Sequence, residues 1–488
     1  MRTAELCVLV AGFASSSFPA AHARNIPSSI GQTAPKVVNL STQRKAVPNP
    51  VHRDRLRRRA NSIEAALDNE ETLYFVNATI GTPAQSVRLH LDTGSSDLWV
   101  NTPSSTLCEQ RTQPCGYAGS YVANDSSTYE FVGDWFNISY VDGSGASGDY
   151  VSDTVTIGGT KLDRLQFGIG YSSTSAQGIL GIGYPINEVQ VGRAGRDAYD
   201  NLPAAMVTAG AISRNAYSLW LNDLDANTGS ILFGGIDTEQ YTGTLQTLPI
   251  QANGGVHSEF LITMTSLELG GQPIAEDQAL AVLLDSGSSL TYLPNDMVEA
   301  IYEQVSAQYD AGAGAAYVPC SLAGDASSTL DFTFTTPRIS VAMGELVLDL
   351  ATSTGGRPTF EDGEPACLFG IAPAGSGTNV LGDTFLRSAY VVYDLDNNQI
   401  SLAQTRFNAT ASDVREIPSG TSSLPGATVV SNSAEATSGI VAGAGGNGNG
   451  NAGLGGTNDS GVASTAASMS TLVLALLSAG VTTYATLH

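Results

Sequence analysis

Leu89-His90-Leu91-Asp92-Thr93-Gly94-Ser95-Ser96-Asp97-Leu98-Trp99 and, about 190 residues later, Leu283-Leu284-Asp285-Ser286-Gly287-Ser288-Ser289-Leu290-Thr291-Tyr292 are two copies of one pattern. Each copy runs from an apolar lead through an aspartate, a hydroxyl residue and a glycine into further hydroxyls. Each is followed later in its half by an apolar-apolar-Gly element, Ile179-Leu180-Gly181 and Val380-Leu381-Gly382. A strand–Asp–hydroxyl–Gly unit that occurs twice predicts two lobes related by pseudo-twofold symmetry, with a cleft between them where the two aspartates meet.

The sequence around these motifs has the grammar of strands and turns. From Thr72 to Ala403 short alternating, β-branched and aromatic runs are cut by Gly, Asn, Asp and Pro, as in Leu73–Ile80 and Ala389–Leu395. One helix is expected over Asp296–Gln308, with Asn295 near its cap. The fold class is all-β with minor helices, divided into an N-terminal lobe over 60–245 and a C-terminal lobe over 246–411.

The 488 residues carry 46 acidic and 22 basic side chains, a net charge of −24. Such a surface disfavours nucleic acid, whose phosphates need basic partners. The basic residues are uneven. Nine lie between Arg24 and Arg59, against the single acid Asp54, whereas Ala60–Asn458 holds twelve. A basic arm thus precedes an acidic body. It is either an electrostatic clamp that acid would loosen or a solvated linker.

The ends read as processed. An apolar stretch from Cys7 to Phe18, followed by Ala21-His22-Ala23, makes residues 1–23 a signal peptide. Residues 24–59 form a propeptide ending in Arg57-Arg58-Arg59, with cleavage expected after Arg59. Residues 412–458, rich in Ser, Gly, Ala, Thr and Asn, are expected to form a flexible stalk. Small residues around Asn458, a short spacer and an apolar tail make 459–488 a signal for a glycosylphosphatidylinositol (GPI) anchor attached at Asn458; a tail-anchor helix is the alternative. The protein is therefore expected at the outer face of the plasma membrane or in the cell wall.

With Cys7 removed, four cysteines suit an oxidising compartment. Of three possible pairings we favour the lobe-by-lobe one, Cys108–Cys115 and Cys320–Cys367. No CxxC or histidine cluster offers a metal site, and no cofactor is expected. Sequons at Asn77, Asn124, Asn137 and Asn408 fit a glycosylated exterior protein.

Two carboxylates a few ångströms apart cannot both ionise cheaply, so they share a proton. The ionised partner can deprotonate a bridging water while the protonated one polarises a carbonyl. Such a pair can add water to a carbonyl without a metal or a covalent intermediate. Gly94 and Gly287 allow the tight turns that bring amide donors to the carboxylates.

From Thr72 to Ala403 the sequence resembles the pepsin family of aspartic endopeptidases, and within it the fungal, yapsin-like, surface-anchored group. Ile138–Ser144, Gly178–Gly183 and Gly229–Asp237 add to the two Asp motifs. The resemblance implies that Asp92 and Asp285 are catalytic. It implies that Thr93 and Ser286 hydrogen-bond across the twofold axis, and that Ser95 and Ser288 bond the outer carboxylate oxygens. It also makes Tyr140 the flap tyrosine, with Asp142, Gly143 and Ser144 at the hairpin tip and Trp99 supporting Tyr140. One extra residue between Tyr140 and Gly148 departs from the usual spacing. His90 falls on the face of Asp92, where the family carries an aliphatic residue lining the primary pocket; it either packs or tunes that pocket.

The expected function is a secreted endopeptidase, active in acid and as a monomer, whose partners are peptide or protein substrates, its own propeptide and the membrane through its anchor. A catalytically inactive binding protein of the same fold is the alternative, and a cell-wall adhesin a third reading. The relatives' preference for basic residues is in doubt, because the acidic loop insertion of some of them is missing between Cys108 and Cys115.

Overall fold

A computed structural model of the chain describes residues 35–45, 73–140, 144–226, 228–325, 327–350, 357–420 and 423–440. The expected signal peptide, the Arg57–Arg59 cleavage point, Asn458 and the apolar tail lie outside the described residues.

Alternating and β-branched runs form strands where the pattern places them, including Leu73–Ile80 and Ala389–Asp394. Among the described residues they build one fourteen-stranded sheet and four smaller ones. The expected helix spans Asn295–Val305 instead of Asp296–Gln308. Ser306 ends it in the left-handed conformation, φ 55°, and Gln308–Asp310 is already a strand.

The large sheet draws on both halves. Tyr241–Pro249 pairs with Gln399–Thr405, then Ala389–Asp394, Ala216–Trp220, Thr228–Phe233, Val38–Lys45 and Leu73–Ile80 follow in order. The lobe boundary expected at 245/246 therefore falls inside a strand, because the two halves share a sheet there.

Val38–Lys45 belongs to the basic arm, for which a clamp or a linker is the expectation. Instead it is a strand, paired with Thr228–Phe233 on one side and Leu73–Ile80 on the other. Val38, Leu40 and Thr42 are buried, while Asn39, Ser41 and Gln43 are exposed. That is the period-two signature of a strand with one covered face.

The stalk expected from residue 412 also needs correction over its described part. Val414–Glu416 pairs with Gly235–Asp237, and Thr428–Val429 runs parallel to Tyr241–Pro249. Ile417, Leu424 and Val430 are buried, and Ser438 bridges Leu280. A polar segment with few large apolar residues can dock this way because existing strand edges offer partners for its backbone.

The cysteines are joined as Cys108–Cys115 and Cys320–Cys367, with Cα separations of 5.3 and 5.0 Å. Cys320, Asp349 and Cys367 are the one metal-like grouping among the described residues, and the disulfide between the two sulfurs takes both out of ligation.

Candidate active site

Each aspartate ends or follows a strand wedged against a second, parallel strand of its own half. Gln85–Asp92 runs beside Gly178–Gly181, with Leu91 opposite Leu180 and Asp92 opposite Gly181. Leu280–Leu284 runs beside Val380–Leu381, with Leu284 opposite Leu381, and the Asp285 amide donates to Leu381 O at 3.2 Å. The glycines that close the two apolar elements are required by close approach. A Cβ on Gly181 would lie 2.6 Å from the Ser96 and Asp97 amides, and one on Gly382 would lie 2.3 Å from the Ser288 and Leu290 carbonyl oxygens.

The two turns meet through a crossed set of buried hydrogen bonds. The Thr93 amide donates to Ser286 Oγ at 3.2 Å and the Ser286 amide donates to Thr93 Oγ1 at 2.9 Å. Thr93 Oγ1 donates in turn to Leu284 O at 2.9 Å, and Ser286 Oγ to Leu91 O at 3.0 Å. Each half therefore holds the strand that leads into the other half's aspartate.

The carboxylates carry matching supports. Asp92 accepts the Gly94 amide at 2.8 Å and Ser95 Oγ at 2.5 Å. Asp285 accepts the Gly287 amide at 2.8 Å and Ser288 Oγ at 2.7 Å. A methyl group on Gly287 would sit 2.4 Å from Asp92 Oδ1 and 2.9 Å from Asp285 Oδ1, so one carbon-sized position touches both inner oxygens. Asp92 is 1 % exposed and Asp285 7 %, so both carboxylates are screened from bulk solvent.

A hairpin formed by Glu130–Ser139 and Gly145–Ile157 carries Tyr140 at its end. The Tyr140 amide donates to Ser144 O at 2.8 Å, and Trp99 Nε1 donates to the Tyr140 hydroxyl at 2.8 Å. Trp99 is itself buried in a satellite cluster with Phe136, Ile138, Ala146, Tyr150 and Ile179. Asp142 and Gly143 lie outside the described residues. His90 is buried, placed opposite Phe75 and beside Ile179, with its ring 6.0 Å from that of Phe75. Asn77, Asn124, Asn137 and Asn408 are all exposed, and the Asn408 amide group donates to Asp223.

Behind the first aspartate motif sits a polar network that the sequence does not single out. Asp97 accepts the Tyr150 hydroxyl at 2.6 Å, the Tyr199 hydroxyl at 3.0 Å and the Val189 amide at 2.8 Å. Burial pushes its carboxyl up from the usual range. Glu188, also buried, accepts the Tyr199 amide at 2.9 Å. Burial, reinforced by the nearby charges of Asp97 and Asp200, pushes its carboxyl up to about 9. Only spacing in the folded chain reveals this pair, since residues 97 and 188 share no motif.

Comparisons with known proteins bear on this geometry. The family model described as eukaryotic aspartyl protease matches residues 73–405. The chain is 58 % identical over 405 residues, 82 % of each chain, to a protein of Aspergillus oryzae named "Probable aspartic-type endopeptidase opsB". It is 38 % identical over 361 residues, 72 % of this chain and 84 % of the relative, to secreted aspartic protease 3 of Candida albicans. The crystal structure of the aspartic proteinase from Irpex lacteus superposes with a TM-score of 0.58 at 22 % identity, covering 77 % of this chain and 99 % of that one.

Proposed function

Because this chain belongs to the eukaryotic aspartyl protease family and is an aspartic-type endopeptidase, we propose that Asp92 and Asp285 are its catalytic pair. The reading is carried by one observation, the position at Gly287 that lies within 3 Å of an inner oxygen of each carboxylate. Two oxygens that both approach one glycine so closely can be bridged by a single water, which accepts from one carboxylic acid and donates to the other carboxylate. Two carboxylates this close hold one proton between them, because charging both at once is disfavoured. The ionised partner draws a proton from the water as it attacks the scissile carbonyl, and the protonated partner donates to the carbonyl oxygen. The proton then passes to the departing amine. The amides of Gly94 and Gly287 and the hydroxyls of Ser95 and Ser288 fix both carboxylates before substrate arrives, so little reorganisation remains for the reaction step. Tyr140, braced by Trp99, closes over the substrate and excludes bulk water.

The working pH is acidic, since the mechanism needs one proton on the pair. Residues 1–23 direct the chain to the secretory pathway, 24–59 are a propeptide removed after Arg59, and Asn458 receives the anchor that keeps the monomeric enzyme at the cell surface. The strand Val38–Lys45 supports a propeptide that belongs to the fold: after a cut at Arg59 it is held without a covalent link, by strand pairing and by the burial of Val38 and Leu40.

Asp92→Asn and Asp285→Asn test the pair. Each should lower kcat at least about a thousandfold while leaving the protein folded, and a statine-type peptide should block the wild-type enzyme. Undiminished cleavage by either variant would remove that aspartate from the mechanism.

A further inference from the structure

Leu261–Met264 and Leu280–Leu284 are antiparallel, with Leu261 opposite Leu283 and Met264 opposite Leu280. The register continues one step further, because the Leu284 amide donates to Phe260 O at 3.2 Å. One residue further, Glu259 and Asp285 lie just beyond the ends of the two strands, where the chain bends at Glu259. Ladder bonds alternate along an antiparallel pair, and on the inner strand the odd positions bond elsewhere: the Ala281 amide to Ser438 O and the Leu283 amide to Asn379 O. The odd positions are therefore pairs without ladder bonds, the kind in which side chains stand closest. Carried past the bend, this register brings Glu259 toward Asp285, whose charge acts on the Glu259 carboxyl. The matching position in the first half, read on the register of Phe75 with His90, is the apolar Leu73. The site thus has a third carboxyl, on the Asp285 side alone.

Glu259 is half-buried, and its Oε2 is sealed from solvent without a hydrogen-bond partner. A carboxyl oxygen so placed is costly unless something pairs with it. Phe260, the next residue, is buried against Tyr184, Tyr217 and Tyr393, so the backbone that carries Glu259 is anchored. The charged groups around it are Asp285, just past the end of the neighbouring strand, with Asp92 beside that, and His257 two residues back on its own segment. No cation of the chain is bonded to it among the described residues.

We propose that Glu259 is a specificity residue, which takes a lysine or arginine side chain of the substrate within one or two residues of the scissile bond. This deepens the assignment of Asp285 and rests on it, because Glu259 reads substrate only if substrate lies over Asp285. The preference is gated by pH. Burial first, and the charge of Asp285 second, push the free Glu259 carboxyl up to about 7. In strong acid it is neutral and treats cationic and uncharged side chains alike. As pH rises toward 7 it ionises and pairs with the cation, which itself holds the charged form, so the gain begins below 7 in the complex.

The test uses the processed enzyme and pairs of peptides that differ only in lysine against norleucine, placed in turn at the two residues on either side of the cut. The readout is the ratio of kcat/KM within each pair, from about pH 3 to about pH 7. At one position the wild-type ratio should climb about tenfold or more with pH. Glu259→Gln should hold the ratio near one throughout, and Glu259→Asp should restore part of the climb. A wild-type ratio that stays flat at every position, or a Glu259→Gln ratio that climbs like the wild type, overturns the proposal. Failure of wild-type enzyme to cut even the norleucine peptides would count against the reading of the pair instead, so the two failures are distinct.

Discussion

Thr93 and Ser286, 193 residues apart, exchange backbone-to-hydroxyl hydrogen bonds at 3.2 and 2.9 Å beneath the two carboxylates. Each side chain also donates to the strand entering the other's aspartate, at Leu284 and Leu91. Four hydrogen bonds thus tie the two aspartate turns directly to one another.

Thr93→Val keeps the shape of the side chain and leaves the Ser286 amide and Leu284 O unpaired. We expect unfolding stability to fall by about 1–3 kcal/mol and kcat to fall about tenfold or more, since a displaced carboxylate costs chemistry before binding. Thr93→Ser, which retains the hydroxyl, should recover most of both. Urea unfolding and steady-state kinetics on the three proteins check this. Wild-type kcat in the valine variant would mean that the crossed bonds do not position the pair.

Glu188 should make the fold sensitive to alkali. Its carboxyl is pushed up from the ordinary 4.5 to about 9, so the folded state favours the neutral form. The associated stability is complete below about 4.5 and is lost progressively as pH rises toward 9. Glu188→Gln cannot ionise and still accepts the Tyr199 amide. It should gain a few kcal/mol over wild type at pH 7 and nothing at pH 4. Urea midpoints across that range decide it, and parallel pH profiles for the two proteins would contradict the assignment.

Asp237 fastens the segment beyond residue 411. Its Oδ1 accepts the Glu239 and Asp413 amides at 3.0 and 2.8 Å, and its Oδ2 accepts Ser412 Oγ at 2.6 Å. Asp237→Ala should cost about 2–3 kcal/mol and expose the chain between residues 411 and 440 to limited proteolysis. A digestion pattern identical to wild type would show that strand pairing alone holds the segment.

The two disulfides should contribute unequally. Cys320–Cys367 spans 47 residues and Cys108–Cys115 only 7. Loop-closure entropy predicts losses of about 4 and about 2 kcal/mol for the corresponding double serine variants. Thermal unfolding of both variants would show the order, and a reversal would locate the difference in native-state contacts instead.

Much of the site was legible before any fold was known, because an Asp-hydroxyl-Gly-hydroxyl turn is local. The bonds from Gly94 to Asp92 and from Gly287 to Asp285 span two residues each, and those from Ser95 and Ser288 span three. What composition suggested was less reliable. The arginines around Val38–Lys45 drew attention from its period-two burial. The small polar residues after 411 concealed strands that depend on edges supplied by Gly235–Asp237 and Tyr241–Pro249. The helix end was missed because Ser306 leaves the helix through a left-handed turn that its sequence context does not advertise.

The sequence by itself determined the two aspartates, their supporting hydroxyls and glycines, and the β character of the body, since turn chemistry and residue alternation act over a few residues. Only the tertiary structure decided which side chains stand beside those aspartates. Glu259 comes near Asp285, and Glu188 near Asp97, through packing across many residues. Such neighbours follow from the free energy of the whole sheet and core, which no short window of sequence contains.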